Sequence, residues 1–389
     1  MNILFLLKTL DAGGLEVVTS VLANCFVGEK HNVCIFAFST GSGYVRPLFD
    51  NRIDVFIGNG FEYNSENISL LHKILYDNQI EIVINQWGLP LIPIRIFEKA
   101  KKGLVVKIIS FYHNDPIRNG RIQNVDNQIN STSNWIKKVC LKLKRFTFRF
   151  VTGYAMRYVY NKSDLYAILS QRYVENFKIF TGIKSPTKLV VQSNPITIDN
   201  SGFIYNQNNK QREIVYIGRL DNTQKCVYRI IEAWSKIEKQ YSDWRLTIVG
   251  DGKDRVYLEK QTKNFGLVRV FFEGIQQPRP YYERASILLL TSDFEGFPLV
   301  LAEAMSFGVV PIVYGSFSAV YDIIDNGTNG LISSMPYCAN NTIKCLQTLM
   351  DNKQLRNQMA IAGIQKVELF SIKTIYGQWY KLFDMIITI

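Results

Sequence analysis

Two glutamates eight positions apart, Glu295 and Glu303, bracket the segment of this sequence best suited to holding a charged ligand. An apolar run ends at Ser292, a loop carries Glu295 and Gly296, Pro298 suits a first helical position, and Gly308 suits the end of that helix. The backbone of Gly296, Phe297, Pro298 and Leu299 would then face a ligand from a helix start, where unpaired N–H groups and the helix dipole favour negative charge. Glu303 lies among Val300, Leu301, Ala302, Ala304 and Met305. A carboxylate in that company is costly unless it is hydrogen-bonded, and the two adjacent hydroxyls of a ribose would satisfy it.

Other loops offer complementary chemistry. Arg219 and Lys225 flank a loop behind another strand-like run and could grip a diphosphate from two sides, the arginine by its planar fork and the lysine as a point charge. Gly250-Asp251-Gly252 and Gly13-Gly14 are glycine turns of the kind that let a ligand approach the backbone, and Gly14 precedes a helical pattern whose start favours an anion. Trp87, in Asn85-Gln86-Trp87-Gly88, offers either a flat face to a sugar ring or a core packing surface. His31, in a polar turn, and His72, on a helical pattern, read as surface residues.

These loops need a scaffold, and the hydrophobic pattern supplies one. Short apolar runs alternate with amphipathic stretches from end to end, which is the pattern of parallel sheets with crossover helices. Ile3–Leu7, Val33–Phe38, Ile82–Asn85 and Val105–Ser110 read as strands of one half; Glu213–Gly218, Arg245–Val249, Val268–Glu273, Ile287–Thr291 and Val310–Val313 read as strands of a second. Glu16–Phe26 and Val227–Gln240 read as helices between them. The fold class is α/β, with two Rossmann-like doubly wound domains over residues 1–200 and 201–371 and the polar stretch Asp199–Arg212 at the join. The apolar stretch 372–389 reads as a C-terminal helix crossing back to the first domain. In such a plan, ligands belong outside the carboxyl ends of the strands, in the cleft between the halves.

The 389 residues, 47% hydrophobic and 20% charged, exclude a disordered or collagen-like chain. Six scattered cysteines without a Cys-x-x-Cys pair argue against a disulfide framework or a structural zinc site and fit a reducing compartment. The first residues lack a signal-peptide pattern, no run is long enough to span a membrane, and a cytoplasmic protein is expected. The net charge of +12 points to an anionic partner. It is strongly local: no acidic residue lies between Asp126 and Asp164, where Lys137, Lys138, Lys142, Lys144, Arg145, Arg149, Arg157 and Lys162 all fall. Between Trp135 and Arg157 these cations interleave with apolar residues, as in a helix lying on an anionic membrane or in a core helix with a charged outer face.

The Glu295–Glu303 segment closely resembles the E-x7-E motif of retaining glycosyltransferases of the GT-B fold, a class that includes glycosyltransferases of bacterial surface polysaccharides. The Gly-Gly loop, the exit at Asn194-Pro195, the Arg219–Lys225 loop and Gly250-Asp251-Gly252 follow in that family's order. The resemblance implies that Glu295 lies beside the transferred sugar, that Glu303 holds the donor ribose, and that Arg219 and Lys225 neutralise the donor diphosphate. His113, in Ser110-Phe111-Tyr112-His113, matches a loop histidine facing the donor sugar and acceptor. Cys226 departs from the pattern, where a glycine commonly follows the lysine. The implied activity is transfer of a hexosyl unit from a nucleotide sugar, UDP-linked by preference, to a glycan or lipid-linked acceptor of a capsule, O-antigen or exopolysaccharide. No cofactor and no metal are expected, because Asp293-x-Glu295 is the nearest approach to a DxD pair and Glu295 already has a role. A sugar-nucleotide epimerase on the same plan is the alternative. A nucleic-acid partner is not expected, since no recognisable module accompanies the local charge.

Overall fold

The computed structural model describes residues 1–117 and 120–388, so Ile389, the last residue of the expected C-terminal helix, lies outside the described residues. The chain forms two compact units, Met1–Thr197 together with Ser371–Ile389, and Ile198–Phe370.

The first unit is built on a parallel seven-stranded sheet. Its strands are β1 (Asn2–Leu7), β2 (Asn32–Ala37), β3 (Asp54–Ile57), β4 (Ile82–Asn85), β5 (Lys107–Tyr112), β6 (Leu165–Ile168) and β7 (Leu189–Val191). They lie in the order β3-β2-β1-β4-β5-β6-β7. Ile3 to Leu7 are all fully buried, which is why β1 reads as an unbroken apolar run: helices cover both faces of a parallel sheet. The second unit repeats the plan with β8 (Glu213–Ile217), β9 (Arg245–Val249), β10 (Val270–Gly274), β11 (Ile287–Leu290), β12 (Val310–Tyr314) and β13 (Leu331–Ser333), ordered β10-β9-β8-β11-β12-β13. Each sheet reverses its winding once, between β1 and β4 in the first and between β8 and β11 in the second. The loops beyond those strand ends are the places where such sheets bind ligands.

The helix Ile372–Thr388 belongs to the first unit, where Trp379 and Phe383 pack edge-on against Phe26 of the helix Gly14–Gly28. His31 is part of this seam and not a surface residue: its ring lies against Phe26 and Phe383, and its Nε2 is 3.1 Å from the Tyr376 hydroxyl. Two strands start later than the sequence pattern indicates. Val105 and Val268 are 93% and 74% exposed, and the chain enters β5 and β10 two residues beyond each of them. The helix expected over Val227–Gln240 runs only from Tyr228 to Ser235 and continues as turns.

Candidate active site

At the winding reversal of the second unit, the loops after β8 and β11 are laced together. The Asp293 amide donates to the Gln224 carbonyl at 2.8 Å, and the Thr291 hydroxyl donates to the Cys226 carbonyl at 3.0 Å. This lacing brings Lys225 and Glu295 into an ion pair, Nζ to Oε1 2.5 Å, with both side chains largely buried. Arg219 remains more than half exposed beside them, donating to Gln224 Oε1 at 2.9 Å. Two cations thus lie beyond the end of β8, Lys225 paired with Glu295 and Arg219, more exposed, 3.6 Å from Asp221.

Cys226 explains its own departure from the usual glycine. Its φ of 51° lies in the left-handed region, where glycine carries no steric penalty, yet the loop still delivers Lys225 to Glu295. Gly250, at φ 132°, is fixed by packing: a Cβ there would lie 2.0 Å from the Gly218 carbonyl oxygen. The Gly250-Asp251-Gly252 turn is therefore shaped by the close approach of the two loops themselves.

The short helix Leu299–Ser306 begins one residue later than the sequence indicates, with Pro298 preceding its first turn. Gly308 ends it at φ 69°, its amide returning to the Met305 carbonyl. Phe297 turns its ring inward against Phe370, so only its backbone remains at the helix start, beside that of Gly296 and Leu299. Glu303 is buried, and its Oε2 accepts from the Tyr282 hydroxyl at 3.1 Å. Burial, with Glu303 alongside, pushes the Tyr282 phenol well above its ordinary range, so it stays a proton donor.

Three partners of this site carry no local sequence signal. Tyr282 reaches Glu303 from another helix. Arg229 pins Asp293 at 2.6 Å and is itself stacked near Tyr337 and Tyr314. Ser292 Oγ is buried with no hydrogen-bond partner among the described residues. Asp293 is held by Arg229 and Glu295 by Lys225. Among the described residues, no three His, Cys, Asp or Glu side chains cluster as a metal site.

In the first unit, the loops beyond β1, β4 and β5 hold a second polar cluster. His113 Nε2 lies 2.7 Å from Gln86 Oε1, Gln86 donates to the Thr19 hydroxyl at 3.1 Å, and Thr19 donates to the Leu15 carbonyl. This chain of donors assigns the proton of neutral His113 to Nε2 and leaves a buried Nδ1 without a partner among the described residues. The ring stacks on Phe111 at 4.6 Å, and burial pushes its pKa down to about 3. Because the unfolded chain takes up this proton near pH 6.5 and the folded one does not, stability falls as pH drops from about 6.5 toward 3, by up to about 1.4 kcal/mol per pH unit. His113→Gln is expected to flatten that slope in urea melts across the acid range; an unchanged slope would show that His113 is not buried neutral.

Trp87 is half-buried, with Phe61 beside it and the Lys8 ammonium 5.5 Å from its ring centroid. Its Nε1 is buried without a hydrogen-bond partner among the described residues. At Gly14 the helix start faces the chain's own acid: Glu16 folds back so that a Cβ on Gly13 would meet its Oε2 at 2.2 Å. The anion that the sequence pattern invited there is supplied, at least in part, by this buried glutamate.

Residues 198–366 match the family model described as "Glycosyl transferases group 1". The chain is 25% identical over 395 residues, and 98% of each chain, to a Campylobacter jejuni GalNAc-alpha-(1->4)-GalNAc-alpha-(1->3)-diNAcBac-PP-undecaprenol alpha-1,4-N-acetyl-D-galactosaminyltransferase. It is 31% identical over 153 residues to the Salmonella typhimurium lipopolysaccharide 1,6-galactosyltransferase, a match covering 38% of this chain and 42% of that one. Among solved structures, Anabaena HepE in complex with UDP superposes with a TM-score of 0.77 at 16% identity over 99% of this chain and all of that one.

Proposed function

We propose that this chain, a glycosyltransferase of the GT-B fold, moves a hexosyl unit from a UDP-sugar to a lipid-linked glycan acceptor with retention of configuration and without a metal ion. The observation that carries the reading is the convergence of Arg219 and Lys225 beyond the end of β8, in the unit that also holds the buried Glu303. A diphosphate requires two cations in that relation, and a ribose diol suits a buried carboxylate. The UDP bound to Anabaena HepE supports the choice of nucleotide. The undecaprenol-linked substrate named for the Campylobacter relative supports a lipid-linked acceptor, and the Salmonella relative supports a place in surface-polysaccharide assembly.

In this reading, the bond between the anomeric carbon and the diphosphate oxygen breaks while the acceptor oxygen bonds to the same face of that carbon. The acceptor proton passes to the departing phosphate oxygen. Charge grows on the diphosphate as the bond breaks, and Arg219, Lys225 and the backbone N–H groups at the start of the Leu299–Ser306 helix stabilise it as preorganised donors. Glu295 sits beside the sugar and holds Lys225 until the donor arrives. In the first unit, His113 and Trp87 are the residues this reading gives to the acceptor sugar.

The test is the anomeric configuration of the product by proton NMR, from an α-linked UDP-sugar in buffer containing EDTA. An α-linked product at full rate is expected. A β-linked product, or activity abolished by EDTA and restored by magnesium, contradicts the reading.

A further inference from the structure

The basic stretch of the first unit folds as one 28-residue helix, Trp135–Lys162, whose outward face is exposed among the described residues. At 100° per residue, Trp135, Val139, Leu143, Phe146, Phe150 and Tyr154 fall on one line at spacings of four, four, three, four and four. All six are exposed: Trp135 by 73%, Phe146 and Phe150 each by 69%. The opposite face carries buried Leu141 and Val159, which tie the helix to its own unit. Along one edge of the apolar line lie Lys138, Lys142, Arg145 and Arg149, while Lys137 and Lys144 lie farther round the helix, toward its buried face. Among the described residues, the acidic groups that pair with this helix, Asp126 with Arg145 and Glu98 with Lys162, come from neighbouring helices.

We propose that this helix lies in the surface of an anionic phospholipid bilayer, its Trp135–Tyr154 line sunk among the acyl chains and its basic edge, Lys138 to Arg149, against the phosphates. An aqueous surface gains nothing from such a line of aromatic and aliphatic side chains, and a purely electrostatic partner gives them no role. The charge decides the occupant, because the lysines and arginines along that edge can extend toward headgroups while their stems cover the border of the apolar strip. About 28 Å of helix, from Trp135 to Tyr154, takes part. Among the described residues no helix is long and apolar enough to cross a membrane, so the attachment is peripheral at this site. The inference stands apart from the donor assignment.

The protein carries its own reporter. Of the five tryptophans, Trp135 is the exposed one, while Trp234, Trp244 and Trp379 are buried and Trp87 is half-buried. The full chain is expected to sediment with vesicles of phosphatidylglycerol in phosphatidylcholine and not with phosphatidylcholine alone, and brominated acyl chains are expected to quench Trp135 fluorescence. Phe146→Ser/Phe150→Ser, at exposed positions, is expected to lower vesicle partition by about a hundredfold, roughly tenfold for each ring, with the melting temperature unchanged. Three results overturn the proposal: no sedimentation of the wild type, binding without quenching, or a variant that partitions like wild type. Concentration-dependent self-association abolished by the same substitutions, with no vesicle binding, assigns the face to a second copy of the chain instead.

Discussion

Lys225→Ala is expected to lower kcat/KM by about a thousandfold, and Glu295→Gln is expected to lower turnover by a similar factor while tightening UDP about tenfold. Both effects follow from the 2.5 Å ion pair between these residues. Lys225 is the largely buried cation beyond the end of β8, and removing a preorganised donor to a developing oxyanion typically costs about a hundred- to a thousandfold in rate. Before a diphosphate can use Lys225, however, it must draw the ammonium away from Glu295. Neutralising Glu295 removes both the competitor for the lysine and a negative charge beside the phosphates, so the product binds better even as the sugar loses its neighbour. Steady-state kinetics with calorimetric titration of UDP read both quantities, and equal melting temperatures exclude unfolding. A Glu295→Gln variant that binds UDP more weakly than wild type contradicts this account of the pair.

The second large effect concerns Glu303. Wild-type protein is expected to bind UDP about 10–100-fold more tightly than 2′-deoxy-UDP, and Glu303→Gln is expected to lose most of that difference. A charged hydrogen bond in a buried site is worth about 1.5–3 kcal/mol, which sets this range. Glutamine preserves the shape and still accepts from the Tyr282 hydroxyl, so the comparison isolates the charge. Equal discrimination by wild type and variant would mean that Glu303 serves packing through Tyr282 and not a ribose.

The second unit's site was legible because its chemistry is written locally. Glu295, Gly296, Pro298, Glu303 and Gly308 lie in one strand–loop–helix segment, where residue type and spacing are sufficient to place a helix start and a costly buried carboxylate. Tyr282, Arg229 and Gln86 were invisible because each reaches its partner from a different element: Tyr282 is 21 residues from Glu303, Arg229 is 64 from Asp293, and Gln86 is 27 from His113. Only the sheet order joins them.

The same limit applies to the fold. The central strands β1, β4, β8 and β11 identified themselves by runs of consecutive buried apolar residues, whereas the edge strands β3, β7 and β13 are partly exposed and carry no such run. Apolar type alone misplaced Val105 and Val268, which stand in water before their strands begin. It also hid His31, whose packing partners Tyr376 and Phe383 lie at the other end of the chain. Cys226 is the converse case: the departure from glycine was visible, but only its positive φ shows why glycine is usual there.

The account rests on a UDP-sugar site made by protein cations. Its most direct test is a calorimetric titration of UDP, beside GDP, ADP and CDP, into the full chain in EDTA-containing buffer. Saturable binding of UDP at one site, at least about tenfold tighter than the other nucleotides and lost in Lys225→Ala, is the predicted result. No nucleotide binding without a divalent metal, or UDP binding unchanged in Lys225→Ala, contradicts it.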